Sequence, residues 1–143
     1  MNVRDILKSK GDAVESVAPD TRVADALATM DTKRIGAVVV SGDSRAVDGI
    51  LSERDVVRAL ARKGPSALDG PVSAIMTAEV VCCSAADSVQ WLMERMTEGR
   101  FRHLPVVVDG ALAGMISIGD VVKARLAEIE AEAESLRDYI AHG

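Results

Sequence analysis

The chain has 143 residues, room for one domain or a compact pair of small repeats. Hydrophobic residues make up 48% but aromatics only 2%, so a core must be built from Val, Leu, Ile, Ala and Met. That leaves no aromatic platform for stacking single-stranded nucleic acid, and a net charge of -5 without a long basic run argues against a nucleic-acid backbone as partner.

The only cysteines, Cys82 and Cys83, are adjacent, which offers neither a disulfide framework nor a metal spacing. Met1 to Gly11 is polar and lacks the apolar centre of a signal peptide. No apolar run approaches the length of a membrane span. A cytoplasmic protein is the expectation.

In chain order, Val3, Ile6 and Leu7 share one face of a short helical turn ended by Gly11. Val14 to Val17 is a short strand candidate. Pro19-Asp20-Thr21 starts a helix, with Asp20 or Thr21 as cap and Val23, Leu27 and Met30 at helical spacing. Ile35 to Val40 is a buried strand. Ser41 to Ser44 is a loop, Val47 to Leu51 a strand, and a helix runs from Ser52 to about Gly64-Pro65. Gly64 to Pro71 then reads as a connection.

The series restarts after it. Val72 to Met76 echoes Val3 to Leu7, and Val80 to Cys83 echoes the first strand. Asp87 or Ser88 opens a helix carrying Val89, Leu92, Met93 and Met96. Phe101 to Val108 is a strand, Asp109-Gly110 a tight hairpin turn, Ala111 to Ile116 a strand, and Ser117 opens a helix. Two copies of one unit are therefore expected, offset by about 65 to 69 residues; each alone is too small to bury much surface. Beyond them, Leu126, Ile129, Ala133, Leu136 and Ile140 alternate three-and-four spacing. That seam either lies back on its own domain or makes a dimer contact.

The sharpest repeated feature is Gly49-Ile50-Leu51-Ser52-Glu53-Arg54-Asp55, which returns as Gly114-Met115-Ile116-Ser117-Ile118-Gly119-Asp120. A single Ser-x-x-Asp is most simply a capping box. Its double occurrence at the end of a strand adds a second role. A helix N-terminus there suits phosphate, the Ser hydroxyl adds a donor, and the Asp carboxylate suits a ribose diol. Arg54 lies in the first such turn. Arg100, Arg102 and His103 precede the strand Leu104 to Val108, and strand alternation predicts that Arg102 and His103 face opposite ways. Catalysis is the weaker reading. Ser52 or Ser117 as nucleophile would need a base, which only His103 could provide, and the Gly-x-Ser-x-Gly elbow is absent.

These motifs together, in order and twice over, resemble a tandem pair of cystathionine-β-synthase (CBS) domains, the unit called a Bateman module. The residues that carry the resemblance are Gly49 to Asp55, Gly114 to Asp120, Ile75-Met76-Thr77 and Arg102-His103-Leu104-Pro105-Val106. The resemblance covers about residues 3 to 126. It implies an α/β (α+β) fold of two β-α-β-β-α repeats packed through their sheets about a pseudo-twofold axis. The expected division is residues 1–70, 71–126 and a C-terminal amphipathic helix over 127–143.

It also implies a regulatory sensor rather than an enzyme, with clefts for AMP, ATP, NAD(H) or S-adenosylmethionine and no catalytic cofactor. Asp55 and Asp120 would hold ribose, and Ser52 and Ser117 phosphate or ribose. Val14 and Thr77 through Val80 would lie against adenine, and Arg102 and His103 against phosphates. A homodimer and a regulated protein partner are implied as well. The copies differ: Lys8 stands against Thr77, Gly36-Ala37 against Arg102-His103, and Glu53-Arg54 against Ile118-Gly119. Unlike sites are therefore expected. The competing readings are a dimerising scaffold without ligand and a small hydrolase using Ser52 or Ser117.

Overall fold

A computed structural model describes residues 1–142. Helix α1 spans Val3–Lys10, strand β1 Ser16–Val17, α2 Val23–Lys33, β2 Ala37–Val40, β3 Gly49–Ser52 and α3 Glu53–Lys63. Two 3-10 segments follow, Gly64–Asp69 and Val72–Ala74. The second half holds α4 (Val89–Gly99), β4 (His103–Val108), β5 (Ala111–Ser117) and α5 (Ile118–His142). Strand β1 pairs parallel with β2, which pairs antiparallel with β3; β4 and β5 form a separate antiparallel pair. The registers Ala37↔Ser52 and His103↔Ser117 place the two motif serines at equivalent sheet ends. The mixed α/β fold with two repeats agrees with the sequence reading.

Each repeat has its own core, and each core is completed by the other repeat. The first gathers Val23, Met30, Val38, Val40, Leu51 and Val56, and is closed by Val72, Ile75 and Met76 from beyond the connection. The second gathers Leu92, Met96, Leu104, Val106, Ile116 and Val121, and is closed by Val3, Ile6 and Leu7 from the N-terminus. Backbone bonds fasten both exchanges. The Val3 N–H donates to Asp87 O (2.9 Å), and the Val72 N–H donates to Thr21 O (2.8 Å). Val3 and Val72 are both fully buried. Burying a side chain of this kind contributes about 1.5–3 kcal/mol, so neither opening segment is a loose appendage.

Two local expectations change, and one open alternative is decided. Neither Asp20 nor Thr21 caps α2; its N-cap is Arg22, without a side-chain bond. The Val23 N–H donates instead to Gly70 O (2.9 Å), so the inter-repeat crossing does the work of a cap. Val80 to Cys83 is not a strand. Cys83 alone bridges β4, donating to Pro105 O and accepting from the Val107 N–H, both at 2.9 Å. The cause lies upstream: Thr77 exchanges two 2.9 Å bonds with Ile50 of β3, so residues 78–82 must span from one sheet to the other. Finally, the C-terminal seam does not lie back on the domain. Leu126, Leu136 and Ile140 are exposed along a single helix that starts at Ile118. The Asp109-Gly110 turn is as expected, both residues having positive φ (52° and 76°).

The two motif glycines are where the exchanged segments touch the sheets. A Cβ on Gly49 would lie 2.5 Å from Met76 Sδ and 2.9 Å from the Thr77 carbonyl. A Cβ on Gly114 would meet only the end of the Leu7 side chain, at 3.0 Å. Gly49→Ala is therefore expected to destabilise by about 1–3 kcal/mol, because the opposing atoms include backbone, and Gly114→Ala by less. Denaturant titration of the two variants checks the order; equal losses would contradict this account of the contact.

Candidate functional site

Both motifs form the same reciprocal cap. The Asp55 N–H donates to Ser52 Oγ (3.3 Å), while the Ser52 N–H and hydroxyl donate to Asp55 Oδ2 (2.9 and 3.1 Å). The Ser117 N–H and hydroxyl donate to Asp120 Oδ2 (2.8 and 2.9 Å), and the Asp120 N–H donates back to Ser117 Oγ (3.3 Å). Neither serine is paired with a histidine among the described residues. Each hydroxyl is engaged by its own aspartate, which weakens the hydrolase reading.

The first motif opens onto a cleft of about 910 Å³ between the repeats. Its walls bring together Ser52, Arg54, Asp55, Thr77, Val80, Arg102 and His103. Val14, Ser117 and Asp120 are not among them. Arg102 and His103 both line this cleft. Arg102 precedes β4 and is not yet constrained by strand alternation, whereas His103 is its first residue. The cleft also includes residues the sequence reading did not assign: Ile50, Glu53, Arg58, Val81 and Phe101. Arg58 had a usable signal, since it lies four residues after Arg54 on one helix face.

Chemically the cleft has two parts. Ile50, Val80, Val81 and Phe101 supply apolar wall, with the unpaired backbone of residues 78–82 beside it. Arg54, Arg58, Arg100 and Arg102 supply four guanidinium groups against the three carboxylates of Glu53, Asp55 and Glu79. Arg54 Nη1 donates to Arg100 O (3.2 Å), tying the α3 turn to the left-handed end of α4. The Asp55 carboxylate keeps Oδ1 toward the cleft, with only a long bond from the Thr77 hydroxyl (3.4 Å). His103 projects from the second repeat over Gly36 of the first. Burial pushes its pKa down, with Lys10 and Arg102 adding to that and Glu53 and Asp120 opposing. Its neutral ring is therefore favoured near neutral pH.

The second motif is differently engaged. Lys10 donates to Asp120 Oδ2 (2.8 Å) and to Met115 O (2.9 Å). Met115 is the counterpart of Ile50, whose carbonyl accepts from the Thr77 backbone in the first site. Where the second repeat opens with a three-residue 3-10 turn, the first opens with the eight-residue α1, so residue 8 is still helical and cannot pair as Thr77 does. A lysine side chain one turn-end later fills the place. Burial pushes the Asp120 pKa up, but the hydrogen bonds from Lys10 and Ser117 and the Lys10 charge outweigh it and hold the carboxyl below its ordinary value. Among the described residues there is no cluster suited to a metal ion, and no helix is long and apolar enough to cross a membrane.

The repeat geometry has a direct counterpart among known proteins: the CBS domain profile matches residues 3–62 and 72–127. The chain belongs to the CBS domain family. It is 36% identical to the CBS domain-containing protein CBSX3, mitochondrial, of Arabidopsis thaliana, over 99% of this chain and 72% of that protein. The crystal structure of the CBS-domain containing protein ATU1752 from Agrobacterium tumefaciens superimposes with a TM-score of 0.84 at 49% identity, over 87% of this chain and 99% of that one. The CBS domain protein PAE2072 from Pyrobaculum aerophilum, solved in complex with AMP, superimposes with a TM-score of 0.74 at 26% identity, over 84% and 89%. The chain is therefore a tandem pair of CBS domains.

Lys10→Met removes the cation from Asp120. The carboxyl pKa is expected to rise, which a carboxyl NMR titration reads directly. Asp120 is depressed when folded, so its stabilising contribution is present above the unfolded value near 3.8 and disappears as pH falls through the lower folded value. The stability gap between parent and variant, about 0.5–1 kcal/mol for a half-exposed pair, should therefore close on acidification. A gap independent of pH would remove Lys10 as the cause.

Proposed function

We propose that the chain is a regulatory module that binds a phosphate-bearing adenine nucleotide in the cleft between its repeats. The observation that carries this reading is the convergence, in one cleft, of a capped aspartate facing a helix N-terminus and four arginines. In this reading Asp55 accepts from ribose hydroxyls. Ser52 and the first N–H groups of α3 meet ribose or phosphate, with Arg54 and Arg102 and the neutral His103 beside the phosphates. Adenine lies against Ile50, Val80 and Val81, its edge facing the free backbone near Thr77.

The excess of four guanidinium groups over three carboxylates favours the anionic AMP, ATP or NAD(H) over S-adenosylmethionine, whose sulfonium adds positive charge. The AMP complex of the Pyrobaculum relative supports the ligand class. At the Asp120 site Lys10 shares the capping oxygen Oδ2 with Ser117, so a nucleotide entering there would meet its ammonium group. Occupying it requires that Lys10 be displaced or lend its ammonium group to a phosphate. Regulation follows from differential affinity: a ligand touching both α3 and the start of β4 favours the arrangement of repeats that brings them together. A homodimer and a regulated protein partner complete the proposal. An empty-cleft scaffold is the second reading, and it gives Arg54 its bond to Arg100 O but leaves Arg58 and Arg102 without a role.

Thermal unfolding against AMP, ATP, NADH and S-adenosylmethionine tests it. A nucleotide at one hundred times its Kd should stabilise by about 2.7 kcal/mol. Asp55→Ala should lose most of that shift and Asp120→Ala little of it. Absence of a shift with every adenosine compound would sink the sensor reading and leave the scaffold. Nucleotide turnover lost in Ser52→Ala would restore the hydrolase.

A further inference from the structure

We infer that the C-terminal part of α5 is one strand of a parallel two-stranded coiled coil, its partner being the same helix of a second copy of this chain. The inference deepens the homodimer reading and is independent of the nucleotide. Val122, Leu126, Ile129, Ala133, Leu136 and Ile140 alternate spacings of four and three, the repeat of positions d and a in a heptad. The five large ones are 46–72% exposed. The face that α5 turns to its own repeat is different: it carries Val121 and Ala124, both buried. At 100° per residue the two faces lie roughly 130° apart. The seam therefore starts on the body of the module and continues past its end without leaving one line.

The charges flanking the seam choose the partner and its direction. Position g is filled by Arg125, Glu132 and the uncharged Tyr139, position e by Lys123, Glu130 and Arg137. In a parallel pair, g faces the e position five residues later on the other helix. Arg125 then meets Glu130 of the second copy, and Glu132 meets Arg137, each twice by symmetry. Residues five apart do not face each other along one helix, so these pairings have no use within the chain. Arg125 reaches Glu128 and Glu132 of its own helix only loosely, at 3.8 and 3.7 Å. An antiparallel pair sets g against g and e against e, which brings Glu132 and Glu130 each onto its own copy and Lys123 onto Arg137. All three contacts are repulsive. The sequence is thus complementary to itself in one orientation only. The seam is short, and Ala133 is small, so the pair is a clamp added to a module rather than a free-standing rod.

Sedimentation velocity on the full chain tests the inference together with three sets of variants. The parent should be dimeric, and truncation after Arg125 should weaken the dimer. Glu132→Arg and Arg137→Glu should each raise the dimer dissociation constant by about tenfold, and the double swap should restore it. Ile140→Cys alone should form a disulfide-linked dimer under mild oxidation, with the parent as control for Cys82 and Cys83. A parent that dimerises equally well without residues 126–143 overturns the tail clamp and leaves a dimer through the body. A monomeric parent overturns both. Cross-linking that needs a mixture of Val122→Cys and Ile140→Cys chains, or charge variants without rescue in the double swap, overturns the parallel register even if truncation also unsettles the body.

Discussion

The rest of the structure depends on a reciprocal exchange. Val3, Ile6 and Leu7 fill the core of the second repeat, and Val72, Ile75 and Met76 fill that of the first. Neither half could bury enough apolar surface alone, and the exchange makes each the other's missing layer. It also fixes the cleft. Once Met76 is packed beneath Gly49, Thr77 is held against Ile50, and the chain must then cross the gap between sheets to reach Cys83. The crossing segment becomes a wall of the ligand site. Packing, not a dedicated binding loop, places it there.

The capping box shows how a structural device can double as a binding device. Starting a helix at the end of a strand requires a partner for free N–H groups, and Ser-x-x-Asp supplies one. In satisfying that need it also leaves one carboxylate oxygen aimed outward. The first copy has that oxygen, Oδ1, lightly engaged by Thr77, whereas in the second copy Lys10 joins Ser117 on the capping oxygen Oδ2. Two turns of nearly identical geometry therefore differ in what they offer a ligand. Within the motifs Arg54 stands against Gly119, but the difference at the aspartate does not arise there. It comes from whether the preceding segment is a helix long enough to carry a lysine to the site or a 3-10 turn short enough to release a threonine.

Much of this was legible in the chain. Hydrophobic periodicity gave the helices and the central strands, and duplication gave the two-repeat fold and the equivalence of Ser52 with Ser117. The misreadings share a cause. Asp20 and Thr21 look like caps because cap propensity is local, yet the first N–H of α2 is met by Gly70, forty-seven residues on. Val80 to Cys83 looks like a strand because its composition is apolar, yet among the described residues its backbone makes no inter-strand hydrogen bond before Cys83. Strand alternation does not bind Arg102 and His103 to opposite faces, because β4 begins only at His103.

The sequence by itself determined what each segment would become and which residue types stand at each helix start, because periodicity and capping act over a few residues. It also determined that the two sites differ, since Lys8 and Thr77 are unlike on sight. Only the tertiary structure decided how they differ. Lys10 and Asp120 are 110 positions apart, and Arg54 and Arg100 are 46 apart. No local pattern links such pairs. They meet because the two repeats exchange their opening segments, and that exchange is a property of the folded pair.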